Sequence, residues 1–360
     1  METFDACPSF PICLILCLSA IPAFAQDTPD MIAPDIGSRV VEGYVTPALT
    51  RFRETSGALS EALEKACSGT PEDDLNAVHA GFANTLSAFA HVSVLRFGPL
   101  VAENRFERIF FWPDPRGVTL RQVQGLLASE EPLPDDLTSQ SVALQGLPSL
   151  DYVLFGAGGD ALPTDARRCA YAEAISANIA DLAAELEEAW AEGTSFRAAF
   201  TAPAADRDPY RSSAEVAGEI VKAAGTALEF ARNAELLPAL GKTVEKARGK
   251  RAPFWRSGHT FAFAAAQIEG VQKLIAAAGF VDGPSDLVNI YGRGMDFDLS
   301  HAREAVLAVE TAPEEAFSEE PDRGRISYAT IAMEGAKHTL NGELSGALGL
   351  VMGFNALDGD

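Results

Sequence analysis

The spacing of apolar residues limits the fold of this chain more than any other feature of its sequence. Leu49, Phe52, Leu59 and Leu63 follow one another at steps of three or four residues or their sums, which places them on one side of a helix. Segments with the same period recur until about residue 351, and no segment alternates apolar and polar residues as a half-buried strand would. The sequence therefore predicts an all-α protein with no significant sheet.

A stretch rich in Pro, Asp and Ser interrupts the helical pattern. Residues 201–213 read Thr-Ala-Pro-Ala-Ala-Asp-Arg-Asp-Pro-Tyr-Arg-Ser-Ser, a composition typical of a boundary between folded units. A similar number of helical segments, about four, lies on each side of it. We predict two helical bundles packed side by side, over residues 26–205 and 206–360.

The first 25 residues have the features of a secretory signal peptide. An apolar stretch from Ile12 to Ile21 is followed by small residues at Ala23 and Ala25, the pattern of a cleavage site. The preceding region carries Glu2 and Asp5 in place of the usual bases, which leaves the true start codon open. This pattern predicts an exported protein of the periplasm or cell envelope.

Two further features bear on attachment to a membrane. Cys17 lacks the small residues that normally precede a lipid-modified cysteine, so we favour a soluble protein over a lipid-anchored one. Beyond residue 25, no apolar run approaches the ~20 residues that a spanning helix needs. We therefore predict no transmembrane segment in the mature chain.

The cysteine count favours one disulfide. Three of the five cysteines lie within the predicted signal peptide, and Cys67 and Cys169 remain. In an exported protein, two remaining cysteines favour a disulfide over two free thiols.

The chain is strongly acidic. Removing a signal peptide that holds two acids and no bases leaves 28 basic and 49 acidic residues, a net charge of −21. Nucleic acids and anionic membranes require positive surfaces, so this charge argues against both as partners. It would attract cations, although a large negative charge also simply keeps a protein soluble.

The segment Gly146–Gly156 contains the main candidate motif. Pro148 suits the first turn of a helix because proline lacks the N–H that would be unpaired there. Asp151 follows three residues later on the same side, where the positive end of the helix dipole favours a carboxylate. On that basis alone, Asp151 would only compensate the helix end.

These residues resemble the Gly-x-His-x-x-Glu motif of the imelysin-like family. Gly146 is kept, Pro148 stands where the family has His, and Asp151 replaces Glu. Four further blocks resemble the family in the same order: Arg96-Phe97-Gly98-Pro99, Phe111-Trp112-Pro113-Asp114-Pro115, Ala252-Pro253-Phe254-Trp255-Arg256-Ser257 and Gly353-Phe354-Asn355-Ala356-Leu357-Asp358-Gly359-Asp360.

The resemblance implies a two-domain helical fold, a peptidase-like ancestry and a link to iron. The family is named after a protein described as an insulin-cleaving peptidase, and it includes proteins like iron-regulated protein A. This chain has no His-Glu-x-x-His motif, and Pro148 offers no side-chain ligand, so we expect no metallopeptidase activity.

The resemblance also selects the candidate site residues. The predicted binding residues are Gly146, Pro148, Asp151, Arg96, Trp112, Asp114, Trp255, Arg256, Ser257 and Asp358. Alternatively, the arginines and aspartates of these blocks pair with each other and hold the two bundles together. For a metal, Asp151 is the surviving acid of the motif, while His301 and Glu304 share one helix face and would otherwise form a solvated ion pair.

The sequence leads to one favoured function and two alternatives. We favour an exported, non-catalytic protein that binds iron, another divalent cation or a metal complex in cell-envelope iron acquisition, and another envelope protein remains a possible partner. One alternative is a hydrolase with an atypical site, in which Asp151 would act with His259. The other is an envelope scaffold that has lost its ligand.

Overall fold

Helices form the regular structure of this computed structural model, which describes residues 31–68, 73–134 and 136–350. No strand occurs in those ranges, which confirms the predicted all-α fold. The predicted signal peptide and Asp358 lie outside the described residues. No helix in the described ranges is long and apolar enough to cross a membrane.

The helices are numbered along the chain. They are α1 (Ile36–Val40), α2 (Thr46–Cys67), α3 (Asp73–Val92), α4 (Arg105–Ile109), α5 (Val118–Ala128), α6 (Leu147–Phe155), α7 (Ala166–Ala189), α8 (Ser195–Thr201), α9 (Ser213–Phe230), α10 (Leu237–Leu240), α11 (Thr260–Ala277), α12 (Asp286–Leu307), α13 (Pro313–Ala316), α14 (Asp322–Thr339) and α15 (Ser345–Ala347).

In the first half of the chain, α2 packs against both α3 and α7. Leu49, Phe52, Leu59 and Leu63 of α2 are fully buried, as their spacing predicts. Thr46-Pro47, a capping residue followed by proline, predicts a free helix end at Thr46, and α2 begins there but as the continuation of an earlier helix. The helix already begins with α1 and continues through a π-helical turn, Val41–Val45, so Thr46 makes no side-chain cap.

In the second half, α11 packs against α9 and α12, and α12 packs against α14. Helix α11 also contacts α3, so the core continues from one half of the chain to the other. The segment 201–213 connects α8 to α9. The division into bundles over residues 26–205 and 206–360 remains a prediction.

The apolar spacing predicts one helix from Ser213 to about residue 240, and the backbone is helical over that range, with a π-helical turn, Ala231–Leu236, between α9 and α10. This turn carries Glu235, which is 1 % exposed and accepts a hydrogen bond of 3.0 Å from Gln267 Nε2. Burial raises the pKa of Glu235 to about 7, and the hydrogen bond and the charge of Arg96 only partly oppose this effect.

The predicted disulfide between Cys67 and Cys169 is present. Cys67 is the last residue of α2, and Cys169 lies in the first turns of α7, so the bond ties these two packed helices together at one end.

Candidate functional site

The altered motif begins where α6 meets the end of α4. Gly146 is the N-cap residue of α6, and a Cβ atom at this position would lie 2.2 Å from the carbonyl oxygen of Ile109. Glycine therefore permits a close approach of two backbones that any side chain would prevent. Pro148 lies in the first turn of α6, as predicted.

Asp151 is buried on α6 and reaches toward a distant segment. Asp151 is only 3 % exposed, and its Oδ1 accepts a hydrogen bond of 3.3 Å from the backbone N–H of Ser257. Burial raises the pKa of Asp151 to about 6, with the Ser257 hydrogen bonds and the charge of Arg256 opposing the shift. Asp151 therefore does more than compensate a helix end.

Three separate segments meet around a cavity of about 150 Å³ at this point. They are α6, the segment that leads into α5, and the segment that leads into α11. Six predicted binding residues line the cavity: Trp112, Asp114, Pro148, Asp151, Trp255 and Arg256. Blocks that are far apart in sequence thus converge on one place.

Arg256 provides a cation at this cavity. Its guanidinium lies 4.5 Å from the ring centroid of Trp255 and 5.2 Å from that of Tyr152. In the described parts of the chain, no carboxylate lies within 4.0 Å of its nitrogen atoms. The alternative in which the arginines and aspartates of these blocks form ion pairs is therefore not seen for Arg256, which could bind an anion.

Both carboxylate oxygens of Asp114 accept hydrogen bonds from the backbone. Its Oδ1 and Oδ2 accept hydrogen bonds from the N–H groups of Val118 and Thr119, both at 2.8 Å. These bonds satisfy two donors at the start of α5. The main role of Asp114 at the cavity is therefore to hold the segment that leads into α5 in place.

Trp112 separates this cavity from a larger one. Its Nε1 donates a hydrogen bond of 2.9 Å to the carbonyl oxygen of Ala234, in the π-helical turn after α9. Its indole lies nearly parallel to the ring of Phe110, with the ring centroids 6.2 Å apart. The second cavity has a volume of about 570 Å³ and shares Trp112, Asp114 and Lys250 with the first.

Lys250 and Arg251, which line the larger cavity, were not predicted as site residues. A signal for them exists in the sequence. Residues 242–256 of this acidic chain contain only one acid, Glu245, and the following bases: Lys242, Lys246, Arg248, Lys250, Arg251 and Arg256. The basic segment thus gives both cavities a positive rim.

Three other predicted site residues lie elsewhere. The guanidinium of Arg96 lies between the rings of Phe106 and Phe230, 3.8 and 3.9 Å from their centroids, and lines neither cavity. His301 contacts the carbonyl oxygen of Phe297 through Nδ1, and Glu304 is exposed on the same helix, α12. Neither lines a cavity with Asp151.

The sequence favours Ser257 as the cap of α11, and the hydrolase alternative places His259 beside Asp151. Ser257 does not cap α11, because His259 occupies the N-cap position and the Ser257 hydroxyl donates to the carbonyl oxygen of Phe254. The His259 ring lies near Phe82 and Phe155, and His259 does not line the cavity beside Asp151.

Metal binding through side chains alone finds little support in the described ranges. No group of three or more His, Cys, Asp or Glu side chains that could hold a metal ion occurs there. The predictions of a metal at Asp151, or at His301 and Glu304, remain predictions.

Comparison with known proteins supports the helical fold. No curated protein matches the sequence. An imelysin-like protein from Psychrobacter arcticum has a similar structure, with a TM-score of 0.72, 18 % identity, and coverage of 90 % of this chain and 98 % of that one. A putative iron-regulated protein A precursor from Parabacteroides distasonis gives a TM-score of 0.69 at 14 % identity, covering 88 % and 95 %.

The sequence model of the family described as imelysin covers most of the described chain. It matches residues 45–317, a range that includes α2, the altered motif of α6 and the basic segment before α11. The chain belongs to the imelysin family.

Proposed function

We propose that this chain is an exported, non-catalytic imelysin protein that binds an anionic metal complex in iron acquisition at the cell envelope. The observation that carries the proposal is the convergence of Trp112, Asp151 and Arg256, from three separate family blocks, on one cavity. A site built from segments so far apart in sequence is typical of ligand binding.

The lining chemistry favours a complex over a bare ion. A protein site for a hard cation needs several oxygen ligands. Asp114 and Asp151 are the carboxylates that line the small cavity, and Asp114 is engaged by two backbone N–H groups, so Asp151 alone would supply too few ligands. Arg256 and Lys250 line the same cavity and would repel a cation but attract an anion.

The iron link and the export rest on separate observations. The structural neighbour from Parabacteroides distasonis bears the name of an iron-regulated protein precursor, and it shares the fold of this chain. The sequence pattern of residues 1–25 supports export. Both observations fit a ligand that is taken up as a chelate outside the cytoplasm.

Calorimetric titration of the purified protein with ferric citrate tests this function, with anaerobic Fe²⁺ and Zn²⁺ as bare ions for comparison. We expect saturable binding of ferric citrate that weakens by about tenfold in Arg256→Gln, because a charged hydrogen-bond donor to an anion is lost. Lys246→Gln is the matched control, since it removes an equal charge from an exposed position of the same segment.

The variant Asp151→Asn distinguishes a site for an anionic metal complex from a site that binds the metal ion directly. A complex held by Arg256 should bind this variant at least as well as the natural protein at pH 7, because no carboxylate competes for the guanidinium. Binding of Fe²⁺ or Zn²⁺ that disappears in Asp151→Asn would instead establish a direct metal site. The absence of saturable binding for all three probes would contradict the proposal and favour a scaffold role.

The hydrolase alternative receives no support from the position of His259. Its ring packs near Phe82 and Phe155, and it does not line the cavity into which Asp151 faces. A nucleophile or water held by Asp151 would therefore need a different partner.

A further inference from the structure

The small cavity cannot hold a whole metal complex. A cavity of about 150 Å³ holds a group of about the size of one benzene ring. The adjoining cavity of about 570 Å³ falls within the usual range of ligand sites, roughly 300 to 1,000 Å³. Most of a ligand that reaches Arg256 would have to lie in the larger cavity.

The larger cavity combines an apolar wall with a positive rim. Trp112, Phe230 and Pro238 contribute the apolar surface, and Lys250 and Arg251 contribute exposed cations. Glu229 also lines it, but its carboxylate pairs with Lys337 Nζ at 3.4 Å. The charged side chains that remain available to a ligand in this cavity are therefore positive, and they lie beside flat apolar side chains.

The two cavities adjoin at shared lining residues. Trp112 and Lys250 line both, and Lys250 Nζ lies 5.0 Å from the ring centroid of Trp255 in the smaller one. A ligand that contacts Lys250 could therefore extend to either side of the Trp112 indole.

We propose that the two cavities form one elongated site for an anionic chelator with an aromatic body, such as a catecholate or a hydroxylated aromatic carboxylate. The aromatic body lies in the larger cavity against Trp112 and Phe230, and one anionic group enters the smaller cavity beside Arg256. Aromatic ligands stack on such rings, and phenolate or carboxylate oxygens accept hydrogen bonds from Lys and Arg. This inference rests on the proposed function and adds the chemical class of the ligand.

Fluorescence and calorimetric titrations with 2,3-dihydroxybenzoate and with its ferric complex test the inference. Ferric citrate serves as the probe without a ring. We expect the ferric complex of 2,3-dihydroxybenzoate to bind about tenfold more tightly than ferric citrate, because only the former presents rings to the larger cavity.

Two variants address the larger cavity alone. Asn233→Phe fills it from an exposed position, and Arg251→Gln removes a cation that does not line the smaller cavity. Each should weaken binding of the aromatic complex by about fivefold or more, as expected for a lost contact or a blocked space. Ferric citrate also extends into the larger cavity but has no ring to pack there, so both variants should weaken it less than the aromatic complex, and Lys246→Gln should change neither affinity. Circular dichroism during thermal unfolding verifies that each variant is folded.

The outcomes distinguish this inference from the proposed function. If ferric citrate binds through Arg256, but the aromatic complex binds no more tightly and its affinity is unchanged in Asn233→Phe, the elongated aromatic site is wrong and the proposed function stands. If only metal-free 2,3-dihydroxybenzoate binds, and both variants weaken it, the aromatic site stands and the metal function is wrong. Binding of none of the probes overturns both.

Discussion

Trp112 and Ala234 are joined by a hydrogen bond of 2.9 Å from the indole Nε1 to the backbone carbonyl oxygen. The bond links the segment before α5 to the π-helical turn after α9, and it places the indole between the two cavities. The wall that separates the cavities is thus held by a contact between residues 122 positions apart.

Replacing Trp112 by Phe should lower the free energy of unfolding by about 1 kcal/mol more than Trp255→Phe does, because both variants exchange an indole for a smaller ring but only the first also loses a hydrogen bond. Urea denaturation measures the change. Trp255→Phe is the control, since the Trp255 indole packs under Arg256 and makes no such bond to the described backbone. Equal losses in the two variants would show that the bond to Ala234 contributes nothing.

The buried carboxyl of Glu235 should make stability depend on pH. Its pKa is about 7 in the folded protein and near 4.5 when exposed, so the folded state holds this proton more tightly. The free energy of unfolding should therefore fall as pH rises from about 4.5 to about 7, and remain lower above that.

Glu235→Gln should remove this dependence. At pH 8 the variant should be more stable than the natural protein by on the order of 3 kcal/mol, and at pH 4 the gap should vanish. Urea denaturation at the two pH values measures it, with the exposed Glu61→Gln as control. A gap of the same size at both pH values would contradict the assignment.

The buried carboxyl of Asp151 should make anion binding depend on pH. Its pKa is about 6, so the group is neutral below that value and charged above it. A charged Asp151 competes for Arg256 and repels an anion, so the affinity for ferric citrate should fall as pH rises through about 6. Titrations at pH 5 and pH 7.5 measure the change, which should be smaller in Asp151→Asn.

Gly146 and Gly125 offer a matched pair of substitutions. Gly146→Ala would place a Cβ 2.2 Å from the carbonyl oxygen of Ile109, so it should destabilise the protein by about 3 kcal/mol. Gly125 lies within α5 with no atom near its Cβ position, so Gly125→Ala should stabilise by about 0.5 to 1 kcal/mol. Opposite signs in thermal unfolding verify the close approach of α6 to α4, and a small effect at Gly146 would contradict it.

The bond between Cys67 and Cys169 closes a loop of 102 residues. The double variant Cys67→Ser/Cys169→Ser should be less stable by about 4 to 5 kcal/mol, mainly because its unfolded chain is less restricted. Thermal unfolding with and without a reductant measures this. Reductant should lower the melting temperature of the natural protein only, and an equal response in the variant would point to another cause.

The sequence predicted the helices well, because burial repeats locally along each one. Leu59 and Phe52 are fully buried on the expected side of α2. The π-helical turns were missed, since an extra residue in a turn changes hydrogen bonding without disturbing the apolar spacing much. Thr46-Pro47 marks the start of α2 as predicted, but the local pattern does not reveal that the helix continues from α1 through a π-helical turn.

The candidate site was predicted in part. Trp112, Asp151 and Arg256 were selected by resemblance, and the structure places them around one cavity. Arg96 belongs to a similar block, yet it lies between two phenylalanine rings, because its position depends on packing that no local pattern records. Lys250 and Arg251 were not predicted because they belong to no motif, and their only signal is a cluster of bases in an otherwise acidic chain.

The short segment from Trp112 to Thr119 is fastened at both ends. Trp112 is bonded to Ala234 at one end, and Asp114 is bonded to Val118 and Thr119 at the other. Because this segment is already ordered, ligand binding would cost little conformational entropy there. Among chemically related ligands, differences in affinity should then arise in their residence times, while their association rates stay similar.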